Sequence, residues 1–371
     1  MRAWGGAGRA GRSPMLAGRR GPGATPGGIR WAGSALRRAG RRTNLALAAL
    51  LALALGTGAL GFAVGQPWVR WVLVAHGGAG LAIVLLAPWK QAIALRGLAR
   101  ARPGAWASVA LAAVLAVVVL TGLLHLAGLP RSIGGLSPMQ LHVGAALASV
   151  PLAAWHVLAR PVRPRRTDLS RRAVLRAGLL LGGAGVALAG AEGLARALAL
   201  PGADRRFTGS HEAGSFDPAA MPVTQWLDDP VPEIDPGGYR LVVRDADGER
   251  GIRYPELAAF RDRARAVLDC TGGWYAVQDW EGAWLSRLVR PGAARSLVVR
   301  SATGYARRFP VGDAPRLLLA VRVGGRPLSA GHGAPARLVA PGRRGFWWVK
   351  WVTRIEADGA PWWWQPPFPL T

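Results

Sequence analysis

One cysteine and six histidines carry most of the metal and redox chemistry open to this 371-residue chain. Cys270 stands alone, in LDCTGGWYAVQDWEGAWLSRLV (268–289), so no intramolecular disulfide and no CxxC metal site can form. A thiolate is a ligand for soft metals, and Gly272 and Gly273 beside it let the backbone approach a bulky cofactor. Taken by itself, Cys270 reads more often as a buried structural thiol. His76, His125, His142 and His156 lie inside long apolar stretches, where an ionisable group is costly and marks a candidate functional position. A third set is basic: Arg337, Arg343, Arg344 and Lys350, with His332 just before them. Guanidinium forks grip oxyanions with two bonds, and a lysine adds a point charge.

The elements that must position these groups differ sharply between the two halves of the chain. Five apolar stretches, roughly 45–64, 69–88, 104–128, 138–158 and 174–198, each approach the roughly 20 residues that cross a bilayer. No Asp or Glu precedes Asp168, and the net charge of +27 belongs mostly to this half. From Pro201 onward, 23 Lys and Arg face 18 Asp and Glu, an ordinary balance for a globular domain. The arginines flank apolar runs, which fits membrane topology and argues against nucleic acid as a partner. The 1–43 segment holds ten Arg, the 89–103 loop four basic residues and the 159–176 loop seven, whereas the two opposite loops hold only Arg70 and Arg131. That asymmetry predicts a cytoplasmic N-terminus and an extracytoplasmic C-terminal domain in a multi-pass cell-membrane protein.

Four domains follow: a disordered basic cytoplasmic tail (1–43), a four-helix membrane domain (44–160), a signal-like segment with the fifth span (161–200), and an exported domain (201–371). SRRAVLR (170–176), followed at once by an apolar run, resembles a twin-arginine export signal and implies the twin-arginine translocase as a partner. Arg171 and Arg172 read alternatively as two more topology charges. Beyond residue 207, short alternating runs with Asp-Gly or Gly-Gly punctuation predict strands and hairpins, with one helix at 255–267.

On the fourth span His142 and His156 are 14 residues apart, about 21 Å of rise and within about 40° of one face. Two such imidazoles resemble the haem-binding helices of b-type cytochromes, where neutral imidazoles ligate iron. The resemblance implies haem b, one or two, with an outer haem held by His142 and either His76 or His125; His156 has no inner partner. Packing histidines hydrogen-bonded between helices are the alternative.

The segment around Cys270 resembles the metal-binding loop of the sulfite oxidase superfamily. SATGYARRFP (301–310), GHGAPARLVAPGRRGFWWVKWVTRIEA (331–357) and FTGSHEAGSF (207–216) resemble further family loops, in the family's order. The resemblance implies a helical transmembrane bundle followed by a mixed, mainly β (α+β) molybdopterin domain. It also implies Cys270 as molybdenum ligand and catalytic residue, and Tyr305 beside it. His211, Thr271, Gly272, Ser301, His332, Arg337, Arg343, Arg344 and Lys350 would bind the molybdenum-molybdopterin cofactor. Ser210 stands before His211 where sulfite oxidases carry arginine, which argues against sulfite as substrate. The expected activity is oxygen-atom transfer to or from a small molecule, with electrons exchanged with the quinone pool or another membrane redox protein. A membrane cytochrome with a non-catalytic outer domain is the alternative.

Overall fold

The computed structural model describes residues 40–99, 104–129, 132–226 and 229–368. Most of the expected tail, together with Arg100, Arg102 and Arg131, lies outside the described residues. Five helices follow one another: α1 (Arg41–Ala63), α2 (Val69–Leu98), α3 (Ala105–Ala127), α4 (Pro138–Ala159) and α5 (Arg171–Ala197). Each is long and apolar enough to cross a membrane. Leu, Ala and Val runs favour helix, the conformation that satisfies every backbone polar group within its own segment.

Two boundaries differ from the expected ones. Helix α1 already starts at Arg41, inside the segment read as tail, because Arg41 is held by the carboxylate of Asp168. Helix α2 runs through Pro88 to Leu98 instead of stopping at 88, so Lys90 and Arg96 are helical rather than loop residues. Lys90 reaches across to Asn44 of α1, 3.2 Å away.

Helices α1 and α2 form one hairpin, α3 and α4 a second, and α5 packs on α2. The start of α4 is fixed by a reciprocal cap: Ser137 Oγ accepts from Gln140 N–H at 3.1 Å while Ser137 N–H donates to Gln140 Oε1 at 2.8 Å.

Beyond α5 the chain builds two sheets around one hydrophobic core. The first runs β1 (His211–Glu212), β5 (Trp274–Trp284), β8 (Leu318–Val323) and β10 (Arg337–Val339), with β4 (Asp262–Asp269) on β5 and β9 (Arg326–Pro327) on β8. The second runs β3 (Gly248–Arg253), β2 (Arg240–Asp245), β11 (Val352–Asp358), β6 (Ser296–Ser301) and β7 (Ala306–Pro310). Only β1–β5 and β11–β2 are parallel pairs. The expected helix at 255–267 shrinks to α6 (Tyr254–Ala258), and 262–269 is strand. There Arg263 and Arg265 alternate outward to pair with Glu281 and Asp279 on β5, while Ala266 and Leu268 enter the core. Period-two burial wins over the helical reading of the same residues.

The sheet domain rests on one end of the bundle, where α1, α3 and α5 finish and α2 and α4 begin. Gln66 Nε2 donates to Gly342 O at 3.4 Å, His125 Nε2 to Gly209 O at 2.7 Å, and Ser137 Oγ to Gly272 O at 2.9 Å.

Candidate active site and the histidine pairs

Cys270 sits in the tight turn from β4 to β5. Its N–H bonds the carbonyl of Trp274 at 2.8 Å, and Gly273 N–H returns to Cys270 O at 3.2 Å. Gly273 has φ +95°, open chiefly to glycine, and a Cβ there would stand 3.0 Å from His125 Cε1. The turn therefore demands glycine twice over, once for its backbone and once for the helix beneath it. Cys270 is 9% exposed. Burial pushes its thiol pKa up, against the Gly272 N–H, Arg344, Thr224 and Lys350, which favour the thiolate.

The sulfur faces a cavity of about 660 Å³ whose walls include Thr224, Trp226, Thr271, Ser301, Tyr305, His332, Arg337, Phe346 and Lys350. Arg337 is 2% exposed, donates to His332 O at 3.0 Å and leaves its Nε without a partner. Among the described residues no carboxylate pairs with it, and burial drags its pKa down to about 10. Lys350 spends its ammonium on three neutral oxygens, Thr224 O at 2.9 Å, Gln225 Oε1 at 3.0 Å and Gly331 O at 2.6 Å. Burial, then Arg337, hold its pKa down to about 7. A buried guanidinium and a half-buried ammonium without a counter-anion, next to a thiol, are costly unless an anion joins them. That donor set fits an anionic, sulfur-tolerant metal cofactor.

Several expected cofactor ligands lie elsewhere. Arg343 pairs with Asp313 and covers the Trp347 ring at 4.6 Å, outside the cavity. Arg344 pairs with Asp269 at 2.6 Å and bonds Cys270 O at 3.2 Å, which holds the loop; its Nε has no partner, and it stands behind the residues that line the cavity. His211 packs against His125 with ring centroids 4.8 Å apart, and its Nε2 bonds His125 O at 3.0 Å. His332 lines the cavity, yet Ser329 Oγ at 2.8 Å and Met221 O at 3.1 Å occupy both ring nitrogens. Tyr305 also lines it, but its hydroxyl donates to Phe346 O, and burial pushes its pKa far up. Ser301 and Thr271 are at the wall and Gly272 is beside the sulfur.

Sequence reasoning missed Asp269, which accepts from Thr208 and Ser210 at 2.7 Å each, from Arg206 at 3.1 Å and from Arg344. It also missed Thr224, whose hydroxyl receives Trp274 Nε1–H at 3.0 Å. A carboxylate directly before the lone cysteine was the available signal for the first; nothing marked the second.

Residues 228–362 match the family model of the oxidoreductase molybdopterin binding domain. The C-terminal sheet domain is a molybdopterin-binding oxidoreductase domain. The chain is 26% identical to mitochondrial sulfite oxidase of Rattus norvegicus and 28% identical to that of Homo sapiens, in each case over 35% of this chain and 31% of the relative. The chain thus spans about a third of the length of these curated relatives. Among solved structures, the sulfane dehydrogenase SoxCD from Paracoccus pantotrophus is 26% identical, with a TM-score of 0.33, over 35% of this chain and 40% of that one.

Within the bundle, two histidines meet. The rings of His76 on α2 and His142 on α4 lie 5.8 Å apart at 81°. Each hairpin repeats one local pattern. His76 Nδ1 bonds Ala54 O at 2.9 Å, and His142 Nδ1 bonds Val118 O at 2.8 Å. Four residues past each carbonyl comes a glycine, Gly58 or Gly122, whose added Cβ would stand 3.0 or 3.2 Å from the imidazole Cε1. Thr57 and Thr121 precede these glycines and bond back into their own helices. A carbonyl only accepts, so both Nδ1 atoms carry the proton and both Nε2 atoms keep a lone pair. His125 does the reverse, spending Nε2 on Gly209 O. His156 lies away from this pair and bonds Ser108 Oγ at 3.0 Å.

Proposed function

We propose that this chain is a membrane-anchored molybdenum oxidoreductase that moves an oxygen atom to or from a small substrate and exchanges the electrons with the membrane through haem b. The observation that carries the reading is the cavity, where Cys270 lies with buried Arg337 and half-buried Lys350, neither with a carboxylate partner among the described residues. When bound there, the molybdopterin cofactor supplies the two-electron redox step and the oxygen transfer. Cys270 would ligate the metal, Arg337 and Lys350 would hold the cofactor's anionic groups, and Trp280 and Trp348 would keep the Arg337 guanidinium in place at 5.2 and 5.8 Å. Tyr305 and Phe346 close the wall and exclude water.

The haem reading rests on His76 and His142. Metal-bound imidazoles ordinarily donate the other ring N–H to a carbonyl, as both of these do. Among the described residues no three His, Cys, Asp or Glu gather around one point, so a pair of imidazoles suits a metal whose remaining ligands come from its own macrocycle. His125 is not the trans ligand in this reading, because its Nε2 is engaged. Positive-inside counting supports a cytoplasmic N-terminus and an extracytoplasmic sheet domain, with quinone as redox partner and the twin-arginine translocase as exporter.

Metal analysis and a visible spectrum of the purified membrane protein test both parts. Molybdenum together with a bis-imidazole haem spectrum is expected, and Cys270→Ser is expected to lose turnover while the haem spectrum and the fold persist. Haem without molybdenum would favour the electron-transfer cytochrome; neither would overturn the proposal.

A further inference from the structure

Several sets of contacts join the sheet domain to the bundle, and one of them reaches the sulfur through Gly272. Gly272 N–H donates to Cys270 Sγ at 3.3 Å, and the carbonyl of the same residue accepts from Ser137 Oγ at 2.9 Å. Ser137 is the N-cap of α4, tied into the helix by its bonds with Gln140. His142 follows five residues later, about 7.5 Å of rise along the same helix.

We propose that Gly272 and Ser137 form the electron route between the metal at Cys270 and the haem at His142, with Ser137 as its positioning residue. This rests on the reading above, that His142 and His76 hold a haem. The route needs two hydrogen bonds, sulfur to Gly272 and Gly272 to Ser137; the rest is covalent chain and one turn and a half of helix. Thr224, Arg344 and Asp269, further side-chain partners at Cys270, lead back into the sheet domain. His125 and His211 clamp the loop from the side, with Gly273 seated against the His125 ring and His211 N–H bonded to Gly273 O at 2.9 Å. The loop therefore stays on α4 without any domain movement. A second way out of the cavity is aromatic: Phe346 stacks on Phe62 of α1 at 6.3 Å, four residues from Gly58 and the His76 ring. It bypasses the sulfur, so it serves as the control.

The electron balance is simple. With both cofactors bound, one electron would pass from ferrous haem, which would become ferric, to molybdenum(VI), which would become molybdenum(V), while Ser137 would exchange no bond and no proton.

The test uses the purified full chain carrying both cofactors. A flash-generated deazaflavin semiquinone reduces the haem, and the return of ferric haem absorbance reports transfer to the metal. Ser137→Ala is expected to slow that return by about tenfold, the lower end of what outer partners of a metal site cost. The haem spectrum, haem potential and molybdenum content should not move. Ser137→Thr, which keeps the hydroxyl, should restore the rate, and Phe62→Leu should leave it unchanged. A Ser137→Ala rate equal to the parent's, or equal slowing by Phe62→Leu, would overturn the route while leaving both cofactor assignments standing. A parent that contains molybdenum but shows no bis-imidazole spectrum would overturn the haem reading, and the route with it.

Discussion

Asp269 and Arg344 form a buried ion pair, 2.6 Å between Oδ1 and Nη1 with side-chain exposures of 4% and 3%, directly behind Cys270. The carboxylate collects four donors, and the guanidinium passes on a bond to Cys270 O. Such a pair gives little net stability when intact but is costly to break, because the surviving charge stays buried. Arg344→Met is therefore expected to destabilise the sheet domain by about 3 kcal/mol in urea unfolding followed by tryptophan fluorescence. A change too small to measure would mean that Thr208, Ser210 and Arg206 suffice to hold Asp269.

The histidines predict three unequal variants. His76→Ala and His142→Ala should each abolish the bis-imidazole haem spectrum, since each removes one of the two adjacent imidazoles whose Nδ1 bonds a carbonyl and whose Nε2 keeps its lone pair. His125→Ala should keep that spectrum and instead weaken the seating of the Cys270 loop, seen as faster amide exchange over 270–274. Loss of haem in the His125 variant and its retention in the His76 variant would reverse the assignment.

Lys350 makes the cofactor-free protein pH-dependent. Burial lowers its pKa from 10.5 to about 7 in the folded chain. Between those values the unfolded chain binds a proton that the folded chain does not, so this residue's contribution to stability rises with pH from about 7. Above pH 9 the buried Cys270 thiol, whose pKa is raised, works the other way. Between pH 7 and 9 the parent should gain stability over Lys350→Met, and chemical unfolding at several pH values measures the difference. A constant difference would show that Lys350 keeps its proton throughout.

Much of this was legible in the sequence because long periods are hard to hide. Five apolar runs became five helices, and the lone Cys270, just before Gly272 and Gly273, lines the cavity. The basic run was read less well. Arg337, Arg343, Arg344 and Lys350 look alike in one dimension, but only burial without a partner separates Arg337 and Lys350 from Arg343 and Arg344, whose carboxylates Asp313 and Asp269 come from distant segments. The pairing of His76 with His142 was equally out of reach, since hairpin packing decides which imidazoles face each other. The helix expected at 255–267 failed because the alternate outward arginines of β4 found acids only on β5.

Arg171 and Arg172 are the exposed first residues of α5, with Ser170 as its N-cap. Replacing both with lysine preserves charge, so the positive-inside signal is unchanged. If they are read by the twin-arginine translocase, the sheet domain of the double variant should stay on the N-terminal side while α1 to α4 still insert, as protease protection reports. Export at the parent's level would make them topology charges only.

The junction between bundle and sheet domain joins residues far apart in the chain: Gln66 with Gly342, Ser137 with Gly272, and Val64 bridged to Arg343. The contacts at Gly342 and Arg343 cannot close until nearly the whole polypeptide has left the ribosome, because these residues come so late. The five helices are synthesised well before these contacts can form, and the wall of the cavity at Cys270 is completed by Gly345 to Trp351, in the same late segment that docks onto α1. Completion of the cavity wall and docking of the sheet domain onto α1 thus draw on one late stretch of chain, and a chain truncated before Gly342 should lose both together.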